Sequence, residues 1–203
     1  MLPKIILASA SPRRRELLAA AGIAFEVIPS TIAERQGEQE SAESFVRRIA
    51  REKAQEVLAR LPSDAPHTVL GADTVVLVDG KTLGKPASAD EAAAMLRMLS
   101  GKEHRVLTAV CLLHRAVSSP EHPVPTTEDI RTAITTVRFS PLSEMEIQAY
   151  LATGEPFDKA GAYAIQGHAS KFVVSIEGCY FNVVGMPVSL VYQMLQRLGA
   201  AND

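Results

Sequence analysis

The stretch IILASASPRRRELLAAAG, residues 5–22, decides the reading of the fold. Ile5, Ile6, Leu7 and Ala8 form a short apolar run of the kind a buried strand needs. Pro12 suits the first turn of a helix, with Ser11 as candidate N-cap. Leu17, Leu18 and Ala21 recur at helical spacing, and Gly22 supplies a stop. Strand followed directly by helix is the first step of an alternating α/β pattern.

The pattern continues outward. Phe25 to Ile28 reads as a second strand, and Ser41 to Leu61 as a long helix with Phe45, Ile49, Ala54, Val57, Leu58 and Leu61 on its apolar stripe. Val69 to Val78 reads as a strand interrupted by Gly71-Ala72-Asp73-Thr74, and Asp79-Gly80 is a hairpin-turn dipeptide. Ser88-x-x-Glu91 and Ser143-x-x-Glu146 are capping boxes for two further helices, which Gly101 and Gly154 close. Arg105 to His114 and Ile130 to Phe139 read as strands, with a Pro-containing loop over residues 116–127 between them. Phe172 to Ile176 and Cys179 to Val184 are expected to pair as a hairpin around Glu177-Gly178, and Pro187 opens a last helix ending at Gly199. The expectation is an α/β fold: a mixed β-sheet with flanking helices, one domain over residues 1–203, in two lobes around a central cleft.

The composition removes several classes of function. The chain has 203 residues, 47% of them hydrophobic and 22% charged, as a soluble globular protein does. No apolar run approaches the ~18 residues needed to cross a bilayer, so no membrane is expected. The opening apolar stretch is too short for an export signal, which makes the cytoplasm the expected location. A formal net charge of −2, six Phe, four Tyr and no Trp give no footprint for nucleic acid. Alanine is common, at 29 residues, which favours helices packed closely on a sheet. Cys111 and Cys179 lack a C-x-x-C partner and read as two small buried residues, although one disulfide is arithmetically possible. The histidines show no H-E-x-x-H and read as surface or strand residues.

Four segments concentrate polar chemistry. At the start of the first helix, unpaired N–H groups, the Ser9 and Ser11 hydroxyls and the Arg13 and Arg14 guanidinium groups together suit phosphate. Those arginines also suit an ordinary solvated face, and Arg15 points elsewhere on the helix. Asp73, at the end of a buried strand, suits a general base or a divalent-metal ligand, or else caps a turn. Lys85, on the loop after the hairpin, is a residue type that binds phosphate as a point charge, but by itself it reads as an ordinary surface lysine. Gln166, in the segment from Asp158 to Gly167, carries a donor and an acceptor on one amide and can read a base edge. Hydroxyls, fixed cations, a strand-end carboxylate and an amide reader are the parts a nucleoside triphosphate site requires. No Ser-His-Asp triad, Cys nucleophile or dinucleotide-binding turn competes with that reading.

The set of motifs resembles the Maf family of nucleotide pyrophosphatases. It consists of LASASPRRREL (7–17), FVRRIAREKA (45–54), VLGADTVV (69–76), LGKP (83–86), AAAMLRMLSG (92–101), HRVLTAV (104–110), FDKAGAYAIQG (157–167) and VVGMPVSLV (183–191), and so covers nearly the whole chain. The resemblance implies a Maf/ITPase-like fold, a divalent cation (Mg²⁺ or Mn²⁺) and often a homodimer. It implies hydrolysis of a nucleoside triphosphate to the monophosphate and pyrophosphate. The biological role it implies is house-cleaning of the nucleotide pool, with a link to cell-division arrest.

By position, the resemblance makes Asp73 the catalytic base and gives Glu34 and Asp73 to the metal. Arg13, Thr74 and Gln166 match the positions that set substrate preference. Ser9, Arg14, Lys53 and Lys85 match phosphate-binding positions, and Asp158 and Lys159 are further polar residues of the cleft. The I-Q-G ending resembles the branch acting on dTTP and UTP. Ala164 departs from it, standing where that branch commonly has Gly. A 7-methyl-GTP pyrophosphatase and a non-catalytic nucleotide-binding regulator of septum formation are the alternatives.

Overall fold

The structure is a computed structural model and describes residues 2–117 and 125–202. Most of the expected Pro-containing loop, including Pro120 and Pro123, lies outside the described residues. The strands are β1 (Ile5–Leu7), β2 (Phe25–Val27), β3 (His67–Val78), β4 (Lys81–Leu83), β5 (Glu103–Arg115), β6 (Thr127–Phe139) and β7 (Val173–Glu177). The helices are α1 (Pro12–Ala20), α2 (Ala42–Ala59), α3 (Ala89–Leu99), α4 (Glu144–Leu151), α5 (Tyr180–Val184) and α6 (Val188–Asn202). The strands form one seven-stranded sheet in the order β2-β1-β3-β5-β6-β7, with β4 paired to β3. The sheet is mixed: β1 runs parallel to β2 and β3, whereas β3–β4 and β6–β7 are antiparallel. The fold is therefore α/β with flanking helices. No helix among the described residues is long and apolar enough to cross a membrane.

The chain divides into two compact units. Unit 1 is Met1–Asp73, Ala109–Thr132 and Gly185–Asp203; unit 2 is Thr74–Thr108 and Ala133–Val184. The division falls inside β3, β5 and β6. In unit 1, α2 buries Val46, Ile49, Ala50, Ala54 and Val57 completely. In unit 2, α3 contributes Leu96 and Leu99 and α4 contributes Ile147 to the interior. Rings crowd beside them: Phe139 and Tyr163 meet edge to face with centroids 4.8 Å apart, and Tyr150 meets Phe172 in the same way at 5.6 Å.

The caps follow the sequence. Ser41 caps α2 by accepting from Ser44 N at 3.1 Å. Ser143 and Glu146 form the full reciprocal box at α4. At α3 only half of the expected box forms: Ser88 accepts from Glu91 N, but Glu91 Oε2 reaches back to Ala87 N at 2.7 Å. Ser11 precedes α1 with extended backbone and makes no side-chain cap. Asp79 (φ 48) and Gly80 (φ 75) form the left-handed turn of the β3–β4 hairpin.

Four expectations are corrected. First, β3 is continuous, so Asp73 stands in mid-strand and not at a strand end. Gly71 is there for close approach and makes no turn: a Cβ would collide with Ala50 O of α2 and lie 2.9 Å from Ala54 N. Second, Tyr180–Val184 is a helix, not the second arm of a hairpin. Gly178, at φ 120, turns the chain, and Thr135 Oγ1 binds both Cys179 N and Cys179 O, which ends the extended run. Third, Gly199 lies inside α6, which continues to Asn202. Fourth, Cys179 is half-buried, and both cysteines are free thiols.

Candidate functional site

Five of the sequence-derived residues come together within unit 1. Lys53 projects from α2, is buried, and donates to Asp73 Oδ1 at 2.8 Å; Glu34 Oε1 lies 2.6 Å from the same ammonium. Two carboxylates thus converge on one cation. Lys53 also reaches Ala72 O at 3.4 Å. On the other side of that carbonyl sits Arg14, whose Nη1 donates to Ala72 O at 2.8 Å and to Ser9 Oγ at 3.1 Å, while Nε donates to Gly185 O at 2.9 Å. The Ala72 carbonyl joins the two cations, and Ser9 ties the β1–α1 connection to the group by also accepting from Ser11 N.

Burial sets the electrostatics of this group. Asp73 is only 4% exposed, and desolvation pushes its carboxyl above the usual range, against the opposing pull of Lys53. Glu34 adds to the rise by like-charge repulsion. Desolvation likewise lowers the buried Arg14 guanidinium, with Asp73 and Glu34 pulling the other way. A buried carboxylate raised toward neutrality and aligned by a lysine is the arrangement a general base requires. On α1 the three arginines divide by face: Arg14 is buried, Arg13 half-buried and Arg15 exposed.

The remaining candidates lie in unit 2. Thr74 Oγ1 bonds Thr108 Oγ1 at 2.9 Å, and Thr108 donates to the backbone carbonyl of Asn182 at 3.2 Å. Asn182 is wholly buried and donates to Val106 O and Thr135 Oγ1. Lys85 is exposed on the loop after β4, where Gly84 O accepts from Gly161 N at 3.0 Å. Asp158 and Lys159 pair with each other. The segment from Glu155 to Phe172 folds as three short 3₁₀ turns. Gln166 is exposed on it, and its amide makes no hydrogen bond among the described residues.

Several residues that organise unit 2 escaped the sequence reading. His104 Nε2 meets Tyr163 Oη at 2.8 Å, deep in the interior, and Tyr150 with Glu155 clasps the Gln166 turn. A histidine inside a strand and a Glu after a helix-stopping glycine carry no local signal of such roles.

A family model described as Maf-like protein matches residues 4–198. The chain belongs to the Maf family. Its relatives within that family align over almost their full length. A dTTP/UTP pyrophosphatase of Symbiobacterium thermophilum is 48% identical over 198 residues, covering 98% of this chain and 95% of its own. A dTTP/UTP pyrophosphatase of Koribacter versatilis is 47% identical over 195 residues, covering 96% of this chain and 94% of its own. One from Shigella sonnei is 45% identical over 202 residues, covering 100% and 96%. Among solved structures, the Ham1 protein of Staphylococcus aureus aligns with 68% of this Maf chain and 72% of its own, at TM-score 0.41 and 14% identity.

Proposed function

We propose that this Maf protein hydrolyses dTTP and UTP to the monophosphate and pyrophosphate, with Asp73 as the base. The observation that carries the reading is the buried Asp73–Lys53 pair with the exposed Glu34 on the same ammonium, in a chain 45–48% identical to dTTP/UTP pyrophosphatases. Asp73 takes a proton from water; the water oxygen bonds the α-phosphorus; the bond from that phosphorus to the bridging oxygen breaks; and pyrophosphate leaves. Arg13 and Lys85 offset polyphosphate charge, the main need of phosphoryl transfer. Lys53 keeps the Asp73 carboxylate oriented and ionised. Arg14 and Ser9 hold the strand carbonyl next to it. Thr74 and Gln166 select the base, Gln166 by pairing its amide with the O4 and N3–H edge of uracil or thymine.

The donor set fits a divalent cation. Asp73 and Glu34 offer hard carboxylate oxygens, each with one oxygen on the Lys53 ammonium, and Mg²⁺ binds one or two carboxylates with water and substrate phosphate completing its shell. Among the described residues no group of three or more His, Cys, Asp or Glu forms a fuller cage. Held by Asp73 and Glu34, such an ion would supply charge neutralisation at the phosphates.

The test is a panel of nucleoside triphosphates with Mg²⁺ or Mn²⁺ that separates pyrophosphate from orthophosphate. Release of pyrophosphate from dTTP and UTP ahead of CTP, with ATP and GTP poor, is expected. A preference for 7-methyl-GTP would overturn the substrate, and tight nucleotide binding without turnover of any triphosphate would overturn the reaction.

A further inference from the structure

The turn that carries Gln166 is gripped by two side chains to which the reaction gives no role. Tyr150 rises from α4 and is 1% exposed. Its hydroxyl donates to Glu155 Oε1 at 2.7 Å and accepts from Ala164 N at 3.2 Å. The other carboxylate oxygen, Glu155 Oε2, accepts from His168 N at 3.0 Å. Gly167 lies so close that a Cβ there would collide with the Glu155 carboxylate. Gly167 N closes the turn on Ala164 O at 3.1 Å. The backbone is therefore pinned two residues before Gln166 and two residues after it, by opposite ends of one hydroxyl–carboxylate pair. Burial and the adjacent carboxylate push the Tyr150 hydroxyl well above its ordinary range, so the phenol keeps its proton and remains the donor.

An exposed amide on a pinned turn differs from one on a loose loop. Reading a base edge through paired hydrogen bonds requires donor and acceptor to arrive together in one plane. We infer that Tyr150 and Glu155 are positioning residues for base selection, fixing the frame from which Gln166 meets the pyrimidine. This rests on the reading above, in which Gln166 contacts the base.

The experiment measures kcat and KM for UTP and CTP, and inhibition by inorganic tripolyphosphate, which has no base. It compares the full-length protein with Tyr150→Phe, Glu155→Gln and Gln166→Ala. Tyr150→Phe keeps the ring packing and removes both hydroxyl bonds. Glu155→Gln keeps the size and leaves one acceptor where two were needed. Both variants are expected to raise KM for UTP about tenfold, to reduce the UTP-over-CTP preference by a similar factor, and to leave the tripolyphosphate Ki within about twofold. An unchanged UTP-over-CTP ratio in both variants overturns the inference. So does a Ki for tripolyphosphate that rises in step with KM for UTP, because a merely structural role damages both alike. If the unsubstituted protein shows no UTP-over-CTP preference, or Gln166→Ala retains it, the base reading itself fails and takes the inference with it.

Discussion

Lys53 Nζ lies 2.8 Å from Asp73 Oδ1, and both side chains are almost fully withdrawn from water. Burial favours the protonated form of Asp73, and the lysine opposes that tendency. Glu34, on the same ammonium, acts against the lysine, because its like charge raises the Asp73 carboxyl.

Asp73→Asn preserves shape and removes the base. Loss of a positioned general base costs roughly 10²–10⁴ in rate. Pyrophosphate release should fall by at least a hundredfold, on the order of 3 kcal/mol of barrier, with the melting curve still cooperative. Lys53 retains Glu34 as a partner, so no buried cation is stranded. Retention of more than about a tenth of the turnover would remove Asp73 from the reaction.

The two neighbours of Asp73 should move its titration in opposite directions. Glu34 raises the Asp73 pKa and Lys53 lowers it. Activity requires the ionised carboxylate, so it falls as pH drops through that pKa. Glu34→Gln should therefore shift the acid limb of the kcat/KM profile to lower pH. Lys53→Met should shift it to higher pH, whatever its effect on the plateau. Profiles that move the same way in both variants would place the acid limb on another group.

Much of this arrangement follows from the residue pattern, and the exceptions have physical causes. The Pro12 start, the Asp79-Gly80 turn and the Ser143 box specify local structure by their own chemistry, and each forms as read. Gly71 is ambiguous from sequence, because glycine serves both turns and close approach; only the packing of α2 decides between them. Tyr180–Val184 is too short for periodicity to separate strand from helix. At the site, side-chain types suggest partners, but backbone acceptors do not. Ala72 O, which joins Lys53 to Arg14, has no signature at all.

The Gly71 contact has a stability consequence. Gly71→Ala places a methyl group against backbone atoms of α2, which cannot move aside as a side chain would. Overpacking of this kind should destabilise by about 3 kcal/mol or more. Gly84→Ala meets nothing within 4 Å and should change stability by less than about 0.5 kcal/mol. Urea unfolding of both variants checks the contrast, and a Gly71→Ala protein as stable as Gly84→Ala would contradict the packing of β3 beneath α2.

His104 gives unit 2 a pH dependence. Burial depresses its imidazole from 6.5 to about 4, so the folded chain holds it neutral while the unfolded chain protonates it below about 6.5. The unfolded state thus binds more protons between those values, and stability is lost as pH falls through that window. The full effect is ~3 kcal/mol. His104→Gln, which can still bond the Tyr163 hydroxyl, should be less stable at neutral pH but should lose less on going from pH 7 to 4.5. Equal losses in both proteins, followed by urea unfolding, would show that the imidazole is not the titrating group.

The three arginines of α1 should separate into three phenotypes. Arg14 spends Nη1 on Ser9 Oγ and Ala72 O, and Nε on Gly185 O, all inside unit 1. Arg14→Ala would leave those buried acceptors without their charged donor, at a cost of about 3 kcal/mol or more. Its main effect should be a lower melting temperature. Arg13 is half-buried on the neighbouring face and is assigned to polyphosphate. Arg13→Ala should raise KM for UTP about tenfold, while its melting temperature stays within about two degrees. Arg15 is exposed and should tolerate Ala in both assays. Melting curves with and without UTP, run beside steady-state kinetics, distinguish the three. An Arg14→Ala protein that melts normally but binds UTP poorly would return that guanidinium to direct phosphate contact.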